Sequence, residues 1–186
     1  MKFKKKNFLK IIIITGLSII GAGIFAVSSM GEGEIVSSGI ETETTVEPKY
    51  LRNKNSSLRD SLEIFGKELL GVPYLYAGTS EEGFDCSGFV YYVFRNFSID
   101  VPRSTSLYGE VGNEIPIEHV QKGDLLLFLS PTRDEIGHIG IVTNPNGMET
   151  EFIHASSGKE MEVIVSSLKQ PNYNRRFVRA ISILNE

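Results

Sequence analysis

Asp85-Cys86-Ser87-Gly88-Phe89-Val90-Tyr91-Tyr92-Val93-Phe94-Arg95-Asn96-Phe97 holds the only cysteine of the chain and places it where a helix begins. Phe89, Val93 and Phe97 recur at four-residue intervals with Val90 and Phe94 beside them, the apolar stripe of a helix laid on a core. Asp85 is a good N-cap for that helix. Cys86 then falls in the first turn, where unpaired backbone N–H groups and the positive end of the dipole favour a thiolate. A lone cysteine is most often a small buried hydrophobe. This one has polar and glycine neighbours, and it belongs to a chain with an export signature, where an odd cysteine pairs with another molecule or stays reactive.

The export signature lies upstream. Lys2, Lys4, Lys5, Lys6 and Lys10 precede a run from Ile11 to Val27 without a charged residue, and Ala26-Val27-Ser28 offers a small-residue cleavage site. Residues 1–29 therefore read as a signal peptide or as an N-terminal membrane anchor with its basic end inside. No cysteine follows the apolar run to carry a lipid, which excludes a lipoprotein. Residues 30–56 are rich in Ser, Gly, Thr and Glu and read as a flexible linker. A single folded domain is expected over 57–186. The net charge of −4 becomes more negative once the lysines of the first ten residues are set aside, and an acidic body argues against nucleic acid as a partner.

Downstream, the order of elements is legible. Ser57 caps a helix with Leu58, Leu62, Phe65, Leu69 and Leu70 at helical spacing, ended by Gly71. Residues 72–78 read as a loop toward the cysteine helix, and Pro102, Gly109, Gly112 and Pro116 mark a long irregular connection. Strands are expected at 125–129, 138–143, 152–155, 161–165 and 177–184, separated by turn signals such as Asn144-Pro145-Asn146-Gly147. Helices followed by a strand meander make an α+β fold with an antiparallel sheet.

A sulfur nucleophile needs a base, and the chain has three histidines. His119 precedes the first long strand and reads as a surface or loop residue. Alternation sets His138 opposite Ile139 and Ile141, and His154 opposite Ile153 and Ala155, so neighbouring antiparallel strands would bring both imidazoles to one face. That arrangement suits a Cys–His–orienter triad. Asp124 and Asp134 are further candidates for the third position, although Asp124 reads better as a turn residue. A zinc site from Cys86 and the histidines is disfavoured because closely spaced ligand pairs are missing.

Gly71-Val72-Pro73-Tyr74, Asp85-Cys86-Ser87-Gly88-Phe89-Val90, Pro102-Arg103-Ser104-Thr105-Ser106, Gly123-Asp124-Leu125, Gly137-His138-Ile139-Gly140-Ile141-Val142 and Ile153-His154-Ala155 occur in this order. Together they resemble the NlpC/P60 family of cell-wall cysteine peptidases. The resemblance implies a papain-like α+β fold and hydrolysis of peptidoglycan stem peptides, commonly between D-Glu and a diamino acid, without metal or organic cofactor. It implies that Cys86 is the nucleophile, His138 the general base and His154 the orienting residue, with Tyr74 lining the site. Tyr76, Asp85, Ser87, Arg103 and Ser104 complete the candidate substrate-binding set. Where many members have Trp-Gly-Gly, this chain has Tyr76-Ala77-Gly78. The expectation is a monomeric extracytoplasmic enzyme, secreted, wall-associated or anchored by residues 11–27. The alternatives are an amidase or acyltransferase on the same scaffold, and a non-catalytic wall-binding protein.

Overall fold

The computed structural model describes residues 57–184; the leader or anchor expected over 1–29 and the linker expected over 30–56 lie outside the described residues. Helix α1 (Leu58–Glu68) starts where Ser57 Oγ accepts the Asp60 N–H at 3.1 Å. It buries Leu62 and Phe65, with Leu69 just past its end, and Gly71 follows at φ +82°, a left-handed position suited to glycine. Arg59 ties the helix to the sheet through an ion pair with Asp124 at 2.9 Å. Asp124 is almost fully buried, so this turn residue also anchors α1.

Between the expected loop and the cysteine helix lies a hairpin of two-residue strands, β1 (Thr79–Ser80) and β2 (Gly83–Phe84), for which no element was expected. Strands this short leave no alternation to read in the sequence. Ala77 sits at φ +61° at the entrance to the hairpin. A Cβ in this region is strained, whereas glycine adopts it freely. Ala77→Gly is therefore expected to stabilise the fold by about 0.5–1 kcal/mol, the relief of strain outweighing the extra entropy of an unfolded glycine. A thermal midpoint about 3 °C higher would register it, and a lower midpoint would contradict it.

Helix α2 (Cys86–Arg95) is capped by Asp85, whose carboxylate accepts the Gly88 N–H at 2.7 Å. Phe89, Val90, Val93 and Phe94 are buried without exposed surface, as the stripe requires. The helix packs on a six-stranded antiparallel sheet built from β3 (Asn113–Ile115), β4 (Leu125–Leu129), β5 (Ile136–Asn144), β6 (Glu151–Ala155), β7 (Val163–Ser167) and β8 (Phe177–Ser182). Their spatial order is β3-β8-β4-β5-β6-β7. The short edge strand β3 falls in the connection read as irregular. Strand β7 starts two residues later than expected, because Met161 has φ +52° and cannot extend the ladder.

Both faces of the sheet are covered. Leu125, Leu127, Ile139, Ile141, Ile153 and Ala155 form one core with α1 and α2. Leu126, Phe128, Val142, Phe152 and Leu168 form a second core, joined by Tyr173 from the short helix α3 (Pro171–Asn174). This double burial explains the unbroken Leu-Leu-Leu-Phe-Leu of β4, since a strand covered on both sides has no polar face. Among the described residues, no helix is long and apolar enough to cross a membrane.

Candidate active site

The start of α2 is locked from several directions. Gly78 O lies 1.9 Å from where a Cβ on Gly88 would stand, so glycine alone lets the hairpin loop close over the first turn. Arg103 forks onto the Asp85 carboxylate, Nη1 to Oδ1 at 2.9 Å and Nη2 to Oδ2 at 2.8 Å. It also donates to Ser87 Oγ at 3.1 Å and Gly78 O at 3.3 Å. Asp85, Ser87 and Arg103, expected to bind substrate, thus spend most of their hydrogen-bonding capacity holding the cysteine turn. Ser104 is exposed and shares a hydrogen bond with Ser106 at 3.0 Å.

All four residues nevertheless border an open cleft of about 600 Å³, together with Tyr74, Tyr76, Cys86 and Thr105. Tyr76 stands on its rim, 87% exposed. Tyr74 is half-buried, and burial followed by the neighbouring Cys86 and Asp85 raises its pKa, so its hydroxyl keeps a proton to donate. Cys86 Sγ lies 3.6 Å from Thr105 Oγ1 and 3.9 Å from Gly137 O. Burial pushes the thiol up; the Thr105 hydroxyl pulls it down, Asp85 raises it, and the Ser87 and Ile139 N–H groups lower it. The net shift is upward. The helix start alone favours a thiolate, but withdrawal of the sulfur from water outweighs it.

The structure brings together two of the three histidines. His138 Nε2 and His154 Nδ1 are 3.0 Å apart, with the rings nearly perpendicular at 88°. The β5–β6 ladder runs from Asn144–Glu151 to Ile141–Ile153, and both strands continue beyond it unpaired with each other. The histidines occupy this parted end. As alternation required, Ile139, Ile141, Ile153 and Ala155 face α2, while the two imidazoles lie against Phe128 and Phe152 of the second core. No hydrogen bond joins Cys86 to His138 among the described residues; Gly137 lies between, lining both the cysteine cleft and a smaller cavity that reaches His138. His119 stands apart, exposed in a short 3-10 helix (Ile117–His119), and Asp134 is an exposed loop residue. Three polar neighbours escaped the sequence reading. Thr105 lay within a quoted block but carried no signal of its own. Ser166 and Tyr173, 3.0 and 3.3 Å from His154 Nε2, are placed by strand register and by a helix too short to anticipate.

Burial holds His138 well below the usual imidazole range, with the charges of His154 and Arg176 adding to the effect. Burial likewise lowers His154, to about 4. Both rings are neutral at neutral pH. The unfolded chain protonates His154 near 6.5, the folded chain near 4, so between these values the unfolded state binds more protons and stability falls as the pH drops. The full window is worth about 3 kcal/mol for His154. Thermal melts from pH 7 to 4 should therefore fall steeply, and more gently in His154→Gln; an equal fall in both would remove His154 as the cause.

Residues 71–182 match the model of the NlpC/P60 family. The chain is 34% identical over 122 residues to the gamma-D-glutamyl-L-lysine dipeptidyl-peptidase of Bacillus cereus, covering 65% of this chain and 35% of that protein. It is 35% identical over 116 residues to the Escherichia coli murein DD-endopeptidase MepS/murein LD-carboxypeptidase, covering 62% and 57%. It thus spans only part of the length of these relatives. The E. coli probable endopeptidase NlpC is covered more fully, at 82%, with 32% identity over 68% of this chain. A crystal structure of an NlpC/P60 family protein from B. cereus superposes with a TM-score of 0.63 at 31% identity, over 70% of this chain and 41% of that one. Six motif blocks in order, a cysteine at a capped helix start and a histidine pair on the adjoining sheet accompany these matches. The chain belongs to the NlpC/P60 family.

Proposed function

We propose that this chain is a bacterial cell-wall cysteine peptidase that hydrolyses an amide bond of the peptidoglycan stem peptide, at D-Glu–diamino acid. One arrangement carries the reading, in a family whose named relatives include cell-wall peptidases. A single cysteine at a capped helix start borders an open cleft, with a buried, neutral, hydrogen-bonded histidine pair beside it. His138 Nε2 is engaged by His154, which leaves Nδ1 to take the thiol proton. Free-state distances between catalytic groups are commonly long and shorten in the substrate complex, so the imidazole closes on the sulfur when substrate fills the cleft. The thiolate then attacks the carbonyl carbon. The Cys86 N–H and the Tyr74 hydroxyl receive the developing oxyanion. His138 returns its proton to the leaving nitrogen, the C–N bond breaks, and water hydrolyses the thioester to a carboxylate and the free thiol. The enzyme works outside the cytoplasm as a monomer, released or held by residues 11–27.

Digestion of defined muropeptides, with products weighed, tests the assignment. Fragments cut within the stem peptide are expected. An intact peptide freed from its sugar would instead identify an amidase.

A further inference from the structure

The histidine pair does not end at His154. Its Nε2 lies 3.0 Å from Ser166 Oγ on β7 and 3.3 Å from the Tyr173 hydroxyl on α3, two elements distant in sequence from the cysteine helix. We infer that Ser166 and Tyr173 are positioning residues that jointly fix the tautomer of His154, and through it that of the catalytic base His138. The inference rests on the assignment of His138 as base.

One proton lies between His138 Nε2 and His154 Nδ1, and each neutral ring holds one proton in total. If His154 carries its proton on Nδ1, it donates to His138 Nε2, which pushes the His138 proton to Nδ1 and destroys the lone pair that must accept the thiol proton. If His154 carries it on Nε2, then His138 donates from Nε2 and its Nδ1 is free to act as base. The base role of His138 requires the second arrangement, which needs an acceptor at His154 Nε2, and Ser166 Oγ and the Tyr173 hydroxyl are the oxygens placed there. Two hydroxyl oxygens share one nitrogen, and an N–H can be divided between two acceptors. Each hydroxyl oxygen has lone pairs with which to accept that N–H. Ser166 is buried and Tyr173 half-buried, and neither hydroxyl has another hydrogen-bonding partner among the described residues. The chain of contacts thus runs from Ser166 and Tyr173 through His154 to His138.

The two oxygens are redundant by this account. Ser166→Ala and Tyr173→Phe alone should each change kcat/KM on a muropeptide less than about threefold, because the remaining hydroxyl still accepts the proton. The double variant should lose about 10–100-fold, mostly in kcat, the order seen when outer partners of a metal-bound histidine are removed. Ser166→Thr should keep the wild-type rate. Nitrogen-15 spectra of labelled imidazole supply the readout that a merely structural role would not move. His154 should be protonated at Nε2 in the wild type and redistribute toward Nδ1 in the double variant. A wild-type His154 protonated at Nδ1 overturns the inference outright, even if the double variant does not fold. So does a folded double variant with unchanged tautomer and rate. If Cys86→Ala still cleaves, the peptidase assignment fails instead, and the spectrum reports on the tautomer independently.

Discussion

Cys86→Ala is expected to abolish turnover while leaving stem-peptide binding intact. In the proposed mechanism the sulfur forms the covalent bond, and no other cysteine in the chain can replace it. Removing the nucleophile of a comparable hydrolytic triad costs on the order of 10⁶ in kcat, so a loss of at least ~10⁴-fold is the expected result here. Binding should survive because Asp85, Ser87 and Arg103, which hold the first turn of α2, keep their mutual hydrogen bonds without the thiol. Calorimetric titration of a muropeptide into the variant would check the binding, and product analysis the turnover. Cleavage within tenfold of wild type would refute the thiol mechanism.

The largest stability effect should come from Gly88→Ala. Inside a helix, alanine is ordinarily preferred over glycine by about 1 kcal/mol. Here the new methyl would stand 1.9 Å from Gly78 O and 3.1 Å from Asp85 Oδ1. The first contact is with backbone, which cannot rotate away, so the hairpin loop must lift off the helix start. Overpacking of this kind costs about 3 kcal/mol or more, and the clash outweighs the propensity gain. A denaturant midpoint well below wild type is expected, whereas an unchanged or higher midpoint would show that the loop yields freely. Because the displaced loop also carries Tyr76 and Ala77 at the cleft, the folded fraction of this variant should bind substrate less well.

Much of the fold was legible because its signals are local. The α2 stripe, the Asp85 and Ser57 caps and the glycine after α1 each depend on a handful of adjacent residues, and the structure has all of them. The elements missed or misplaced share a cause. The β1–β2 hairpin and β3 are too short for alternation to show, and the start of β7 is set by one left-handed residue, Met161. The electrostatics of Cys86 could not be read from its helix position, because burial by the surrounding core decides the balance.

By itself the sequence determined which residues are available for chemistry: one cysteine, three histidines, and strand alternation that puts His138 and His154 on a common face. Only the tertiary structure decided that β5 and β6 part beyond Ile141–Ile153 to bring those imidazoles within 3.0 Å, and that Ser166 and Tyr173 meet the far nitrogen of His154. It also decided that Arg103 braces the cysteine turn. The physical reason is range. Periodicity and capping act over one or two turns of chain, whereas hydrogen bonds between distant strands and the partial desolvation of the thiol exist only once the sheet has closed around them.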